Sequence, residues 1–232
     1  MNYNFADAMT GLKASAIREI LKFTSDPSVI SFAAGNPAPE AFPSDEIAQI
    51  SKELLENNPI SALQYSITEG YTPLRECMKA YLKEKLSVGS DSDELIIVSG
   101  AQQGIELSTK VLCNKGDTVI CENPSFIGSL NAFKSYGVNL VGVEMESDGI
   151  NVEKLEQELK TQKNVKFIYL IPNFQNPTGI TMSSEKRKAV YKLAQKYDVI
   201  ILEDNPYGEI RFDGEDIPNI KTLDTDGRVI YC

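Results

Sequence analysis

Three short polar segments each follow an apolar run, and their side chains could bind a small anionic ligand and polarise it. The segments are Ser99–Gly104 (SGAQQG), Pro172–Gly179 (PNFQNPTG) and Glu203–Gly208 (EDNPYG). In open parallel sheets, ligands bind beyond the carboxyl ends of the strands. We therefore expect the three segments to converge on one edge of a sheet.

The first segment is a turn of small residues that opens a helix. Gly100 permits close approach of the backbone, and the N–H groups at the start of a helix, together with the helix dipole, favour an anion. Gly-rich turns between strands and helices are also common simply as turns. This one lacks the lysine of a P-loop and the spacing of a dinucleotide fingerprint, so both interpretations stay open on the local sequence.

The other two segments carry a carboxylate, a phenol and an amide. Asp204 follows the apolar run Val199–Leu202, where a half-buried carboxylate needs a positive partner such as a protonated heterocycle nitrogen. An isolated Asp is more often a turn or cap residue. Tyr207 could lie beside the same ring or only pack. The amide of Asn176 could donate to a ring oxygen or a substrate carboxylate, or only form a turn.

The elements that position these segments alternate between strand and helix patterns after residue 93. Helical apolar stripes follow the N-cap candidate Asn151 and the candidates Ser183 and Ser184, and short apolar runs between the helices predict strands. Such alternation predicts an α/β fold with a mainly parallel sheet and helices on both faces. The six runs are 94–99, 117–122, 139–144, 166–172, 199–204 and 228–232.

The earlier part of the chain has a different pattern. The segment Phe32–Pro43 is too rich in Pro and Gly for regular structure, and helices are predicted from Ser44 and from Thr72. We expect an N-terminal arm with a substrate-side segment over residues 1–45 and a large domain over residues 46–232.

Composition excludes several kinds of site. The net charge of −10 over 232 residues argues against nucleic-acid binding through a broad basic face. The absence of histidine excludes Ser-His and Cys-His nucleophile systems and His-based metal sites, and we expect no metal. The four cysteines form no CxxC pair, and no apolar run reaches the length of a membrane span. We expect a soluble, cytoplasmic protein.

Taken together, the motifs are far more specific than each one alone. SGAQQG, ENPSF, NPTG and EDNPYGEIRFDG, in this order, resemble the class I and II aminotransferases of pyridoxal-phosphate fold type I. Stretches such as ISFAAGNPAPEAFP and LQYSITEGYTPLRE are most similar to the 2-aminoadipate and broad-specificity aminotransferases. The resemblance covers essentially the whole chain. It implies pyridoxal 5′-phosphate as cofactor, amino transfer from an amino acid to a 2-oxo acid, and a homodimer with composite active sites.

The resemblance also implies a role for each matching residue. Toward the cofactor, it implies that Ala101 and Gln102 bind the phosphate and that Phe126 stacks on the ring. Asn176 and Tyr207 would hydrogen-bond the ring oxygen, and Asp204 would pair with the ring nitrogen. Tyr65 would contact the phosphate of the cofactor in the partner subunit. Asp204 and Tyr207 are thereby the catalytic candidates, because a protonated ring is an electron sink. Substrate contacts are implied for Gly35, Asn176, Arg18 and Ser15. Arg18 and Ser15 could equally be ordinary residues of a helix surface.

The chain departs from the family at one decisive point. The Schiff-base lysine of the family follows the strand that here corresponds to Arg228–Cys232, and no lysine of this chain stands in that context. That lysine holds the cofactor and transfers a proton, so we expect no turnover from this polypeptide alone. Two alternatives remain: another fold type I reaction, such as a β-lyase or decarboxylase, or a non-catalytic effector-sensing domain of aminotransferase-like regulators.

Overall fold

The computed structural model describes residues 3–6, 9, 26, 28–30, 32, 35 and 37–232. The described residues fall into two compact units, one within residues 13–68 and the other comprising residues 1–12 with 69–232. The predicted boundary between arm and large domain at residue 45 stays a prediction.

The unit within residues 13–68 has two α-helices in its described part, α1 (Ser44–Asn57) and α2 (Pro59–Leu63). Helix α1 begins at Ser44, as predicted. Asp45 and Glu46 occupy its first turn, where the positive end of the helix dipole favours carboxylates. A short 3₁₀ turn, Pro39–Ala41, precedes it.

The larger unit is built on a six-stranded sheet with the strand order β3-β2-β1-β4-β5-β6. All neighbouring pairs are parallel except β2 and β3, which are antiparallel. This topology confirms the predicted α/β class with a mainly parallel sheet. The strands are β1 (Thr118–Asn123), β2 (Asn139–Glu146), β3 (Gly149–Ile150), β4 (Val165–Leu170), β5 (Ile200–Glu203) and β6 (Val229–Tyr231).

Two helices of this unit begin at N-cap residues that the sequence indicates. Asn151 Oδ1 accepts a hydrogen bond from Lys154 N at 2.8 Å, and Ser183 Oγ accepts one from Lys186 N at 3.4 Å. The predicted N-cap Asn151 is thus confirmed, and of the two candidates Ser183 and Ser184 it is Ser183 that caps its helix. The helices are α3 (Thr72–Leu86), α4 (Ala101–Leu112), α5 (Ile127–Ser135), α6 (Val152–Thr161) and α7 (Ser184–Tyr197), with a 3₁₀ turn at Ile220–Leu223. Within the described residues no helix is both long and apolar enough to cross a membrane.

Each face of the sheet packs on its own pair of helices. Ile120 and its neighbours on one face form a core with α6 and α7. Val119 and its neighbours on the other face form a core with α4 and α5. Successive residues of a strand point to opposite faces, so the central strands are apolar at nearly every position.

The apolar run Glu94–Ser99 is not a strand, so this part of the sheet prediction is wrong. A cleft of about 1080 Å³ lies between residues 94–98 and Val229–Cys232 at the edge of the sheet. A strand forms only where a neighbouring strand pairs with its N–H and C=O groups. Here the N–H of Ile97 instead donates to the carbonyl oxygen of Glu69 at 2.9 Å.

Candidate functional site

Asp204 is a buried carboxylate directly after β5, with 4% of its surface exposed. Its Oδ2 accepts a hydrogen bond from the hydroxyl of Tyr169 at 2.7 Å, and Ser129 Oγ donates to that hydroxyl at 2.8 Å. The other oxygen, Oδ1, is buried and has no hydrogen-bond partner among the described residues. Since a buried acceptor without a donor costs free energy, Oδ1 suits a donor on a bound molecule.

The electrostatic setting of Asp204 favours a cationic donor. Burial raises the pKa of Asp204, and the hydrogen bond from Tyr169 opposes this effect. Burial and the nearby Asp204 charge both raise the pKa of Tyr169, so Tyr169 stays a phenol and keeps donating. A protonated ring nitrogen at Oδ1 would lower the pKa of Asp204 again and stabilise the ion pair.

Asn176 and Tyr207 meet although they are 31 residues apart in sequence. The side-chain amide of Asn176 donates to the Tyr207 hydroxyl oxygen at 2.8 Å. Because Tyr207 accepts this bond, its own O–H can donate to an oxygen of a ligand. The two side chains predicted to share one ligand oxygen are therefore in direct contact.

The start of α4 lies against the start of α5. Helix α4 begins at Ala101, which is exposed, and no side chain caps it. Gln102 Nε2 donates to the carbonyl oxygen of Gly128 at 3.3 Å. A Cβ atom at Gly128 would stand 2.6 Å from Phe126 Cε1 and 2.8 Å from Gln102 Oε1. Gln102 and Phe126 thus approach the same backbone position, and a side chain at Gly128 would require them to shift.

The contacts place the three polar segments at the carboxyl edge of the sheet. Phe126 and Tyr207 pack against the same apolar core, which contains Tyr169. In α4, a Cβ atom at Gly104 would lie 3.4 Å from the Sγ of Cys232, just beyond β6. This convergence agrees with the expectation from the sequence and joins a helix start without a side-chain cap, an aromatic ring, an amide–phenol pair and a buried carboxylate.

Sequence reasoning missed the residues that hold the site together. Arg187 of α7 is 1% exposed, and its Nη2 donates to Pro172 O at 3.1 Å and to Asn173 Oδ1 at 2.7 Å. Asn173 in turn donates to Asn205 Oδ1 at 2.7 Å, next to Asp204. Burial lowers the pKa of Arg187 to about 10, which leaves it protonated at neutral pH.

One signal could have found Arg187. It precedes Val190 by three residues and Tyr191 by four, so it lies on the buried stripe of α7. A charged residue on such a stripe needs several hydrogen-bond partners inside the fold. Tyr169 and Ser129 gave no such signal, because a Tyr in a strand and a Ser in a helix are ordinary at those positions.

The remaining predicted residues belong to the early part of the chain. Tyr65 is 99% exposed, and Gly35 is exposed as well. Arg18 and Ser15 lie outside the residues that the structure describes. The roles of these four residues toward substrate or cofactor stay predictions, as do the ligand-binding roles of the residues at the sheet edge.

The fold and the residues at its carboxyl edge define a known class of protein. Residues 27–232 match the sequence pattern of the family described as "Aminotransferase class I and II". The chain belongs to this family, which confirms the resemblance.

Two curated relatives extend well beyond the matching region. Aromatic-amino-acid aminotransferase 1 of Thermococcus litoralis is 44% identical over 231 residues, which cover 98% of this chain and 55% of the relative. The 2-aminoadipate transaminase of Thermus thermophilus is 38% identical over 212 residues, which cover 91% of this chain and 52% of the relative. The chain thus spans about half the length of these relatives.

A solved structure has the same fold. The kynurenine aminotransferase of Pyrococcus horikoshii, crystallised with PMP, matches with a TM-score of 0.91 and 40% sequence identity. The match covers 98% of this chain and 57% of that one. The α/β architecture with its mainly parallel sheet is therefore that of an aminotransferase.

Proposed function

We propose that this chain forms the cofactor-binding part of a pyridoxal 5′-phosphate-dependent aminotransferase, which transfers an amino group from an amino acid to a 2-oxo acid. The observation that carries the proposal is the buried Oδ1 of Asp204, which has no hydrogen-bond partner in the described part of the chain. An acid in this state suits the protonated nitrogen of a pyridine ring. When bound, the cofactor supplies a conjugated ring that takes up the electron pair released from the substrate.

The chain's own residues bind and orient such a ring. Asp204 accepts a hydrogen bond from the ring nitrogen and keeps it protonated, while Tyr169 fixes the carboxylate through Oδ2. Tyr207, accepting from Asn176, donates its O–H to the ring oxygen. Phe126 lies beside Gln102 and Gly128 at the same edge, and its ring is the aromatic face on which the cofactor ring would stack.

The phosphate end of the cofactor fits the start of α4. Gly100 has a φ of +76° and leads directly into Ala101, the first residue of the helix. The first N–H groups of a helix lack partners within the helix and attract anions. We assign Ala101 and Gln102 to this contact.

The substrate range is a proposal drawn from the relatives. Their names include aromatic amino acids, 2-aminoadipate and kynurenine. We propose an amino donor from this range, with Gly35, Asn176, Arg18 and Ser15 on the substrate side. The lysine that binds the cofactor and transfers the proton is to be sought outside these 232 residues.

We further propose that the complete protein is a cytoplasmic homodimer. The resemblance to the family implies that Tyr65 contacts the cofactor phosphate of the partner subunit. The nearly full exposure of Tyr65, at 99%, supports this role, since a large aromatic side chain in that state is available to a second molecule.

Residues 1–232 are expected to bind pyridoxal 5′-phosphate reversibly, because the residues proposed to contact the ring are present and the lysine of the covalent link is not. Titration followed by absorbance should saturate, and dialysis should remove the cofactor. Asp204→Asn should weaken binding, whereas Asp213→Asn, at an exposed loop position, should not. A stoichiometric link to one lysine that survives dialysis and is fixed by borohydride would contradict the assignment of the missing lysine.

Tyr65→Phe is expected to weaken cofactor retention in the dimer without unfolding it, because only the phenol O–H is lost. The measurement is cofactor release during gel filtration of a polypeptide that also contains the binding lysine. The control is Tyr71→Phe, at a tyrosine that is 48% exposed and to which no role is assigned. Equal retention in Tyr65→Phe and wild type, or full activity of a monomer, would remove this role from Tyr65.

A further inference from the structure

Glu122 is a buried carboxyl group at the end of β1 that the proposed chemistry does not use. It is 1% exposed. Its Oε2 accepts hydrogen bonds from Ile171 N at 3.0 Å and from Gln175 Nε2 at 3.3 Å. Its Oε1 is buried and has no partner among the described residues. An acid in such a place needs an explanation, because isolated buried carboxylates are costly.

Gln175 connects Glu122 to two separate loops. The same Nε2 that donates to Glu122 also donates to Pro124 O at 2.8 Å. On its other side, Gln175 Oε1 accepts from Thr178 N at 2.9 Å and from Thr178 Oγ1 at 2.7 Å. One buried amide thus ties the loop after β1 to the loop after β4, and Glu122 anchors that amide.

These two loops carry two residues of the cofactor site. Phe126 lies two residues after Pro124, and Asn176 directly follows Gln175. We propose that Glu122, acting through Gln175, is a positioning residue that fixes Phe126 and Asn176 relative to each other. The inference rests on the proposed function, since it concerns the geometry of that same site.

The charge state of Glu122 gives this arrangement a pH dependence. Burial raises the pKa of Glu122 to about 8, the charge of Asp204 adds to the rise, and the hydrogen bonds from Ile171 and Gln175 oppose it. Tyr169 and Cys121 are the other titratable groups coupled to it, and both have raised pKa values. Above about pH 8 Glu122 therefore ionises and places a second negative charge beside Asp204. Neither Tyr169 nor Cys121 is a cation that could compensate this charge.

The sign of the accompanying stability change follows from proton binding. The pKa of Glu122 is about 8 in the folded protein and 4.5 as the ordinary value. Between these pH values the folded state binds more protons than the unfolded state. The free energy of unfolding therefore falls as the pH rises through this range.

The first test follows the side-chain amides of Gln175 and Asn176 by NMR in residues 1–232 as a function of pH, without cofactor. In the wild type both amides should show a titration step near pH 8. Glu122→Gln keeps the size and an acceptor oxygen but cannot ionise, so the step should vanish. Glu153→Gln, at an exposed position of α6, should leave it unchanged. A step that persists in Glu122→Gln, or no step in the wild type, overturns the proposal.

The second test uses a double-mutant cycle on pyridoxal 5′-phosphate affinity. Glu122→Leu should weaken binding by about tenfold, and adding Asn176→Ala to it should cause little further loss, because a misplaced Asn176 no longer contributes to binding. Additive losses would mean that Glu122 acts only on general stability and would overturn the positioning role. If the wild type binds no pyridoxal 5′-phosphate at all, the proposed function fails, while the NMR titration still decides whether Glu122 controls Asn176.

Discussion

Asp204→Asn is expected to slow amino transfer by at least about 100-fold in a polypeptide that contains this chain together with the cofactor-binding lysine. The variant's amide keeps the shape of the side chain but carries no charge. The ring nitrogen then has no anionic partner in a site shielded from water, and a charge-assisted hydrogen bond is lost. Such an electrostatic contribution is typically worth about 3–4 kcal/mol.

The structure sharpens this expectation. Tyr169 already donates to Oδ2 of Asp204, so only Oδ1 remains for the ring nitrogen. The variant should therefore fold and retain its contact with Tyr169, and the loss should fall on the chemical step. Single-turnover kinetics with an amino acid donor measure that step directly, with Asp213→Asn as the exposed control. Near-normal turnover in Asp204→Asn would leave Asp204 as a turn residue and remove the main support for the proposed function.

Arg187→Ala is expected to lower the free energy of unfolding by about 3–5 kcal/mol. Arg187 is 1% exposed, and each nitrogen of its guanidinium donates to acceptors within the fold. Removing it leaves these buried acceptors unpaired, and each unpaired acceptor carries a desolvation cost. The acceptors are the carbonyl oxygens of Pro172, Met182, Ile217 and Pro218 and Oδ1 of Asn173.

Denaturant unfolding of residues 1–232 checks this prediction. Lys188→Ala is the matched control, since Lys188 is the next residue of α7 and is exposed. Its effect should stay within about 0.5 kcal/mol. A loss below about 1 kcal/mol in Arg187→Ala would show that water replaces the guanidinium at little cost. It would also show that Arg187 does not hold the loop before Asn176 in place.

The local patterns of the sequence were sufficient for most of the secondary structure. Apolar runs predicted the five strands β1, β2, β4, β5 and β6, and Asn151 and Ser183 cap the helices whose starts they indicated. These features depend on the alternation of strand residues and on hydrogen bonds within one turn of a helix. Both are set by residues close together in the chain, so the sequence alone determines them.

The run Glu94–Ser99 shows where local pattern fails. Its residues have the apolar character of a strand, but a strand also requires a partner with matching N–H and C=O groups. That partner is determined by tertiary structure, and here a cleft separates the run from Val229–Cys232.

The site divides in the same way. The sequence alone determined that Asn176 and Asp204 follow two neighbouring parallel strands, and hence that they would lie at one edge of the sheet. Gln102 follows the run that is not a strand, so its place at that edge was decided by the tertiary structure. Only the tertiary structure decided the contacts behind them. Asp204 is oriented by Tyr169, which is 35 residues away in sequence, and Gln175 is anchored by Glu122, which is 53 residues away. Such contacts depend on the register of neighbouring strands and the path of each crossover, and no local periodicity encodes either.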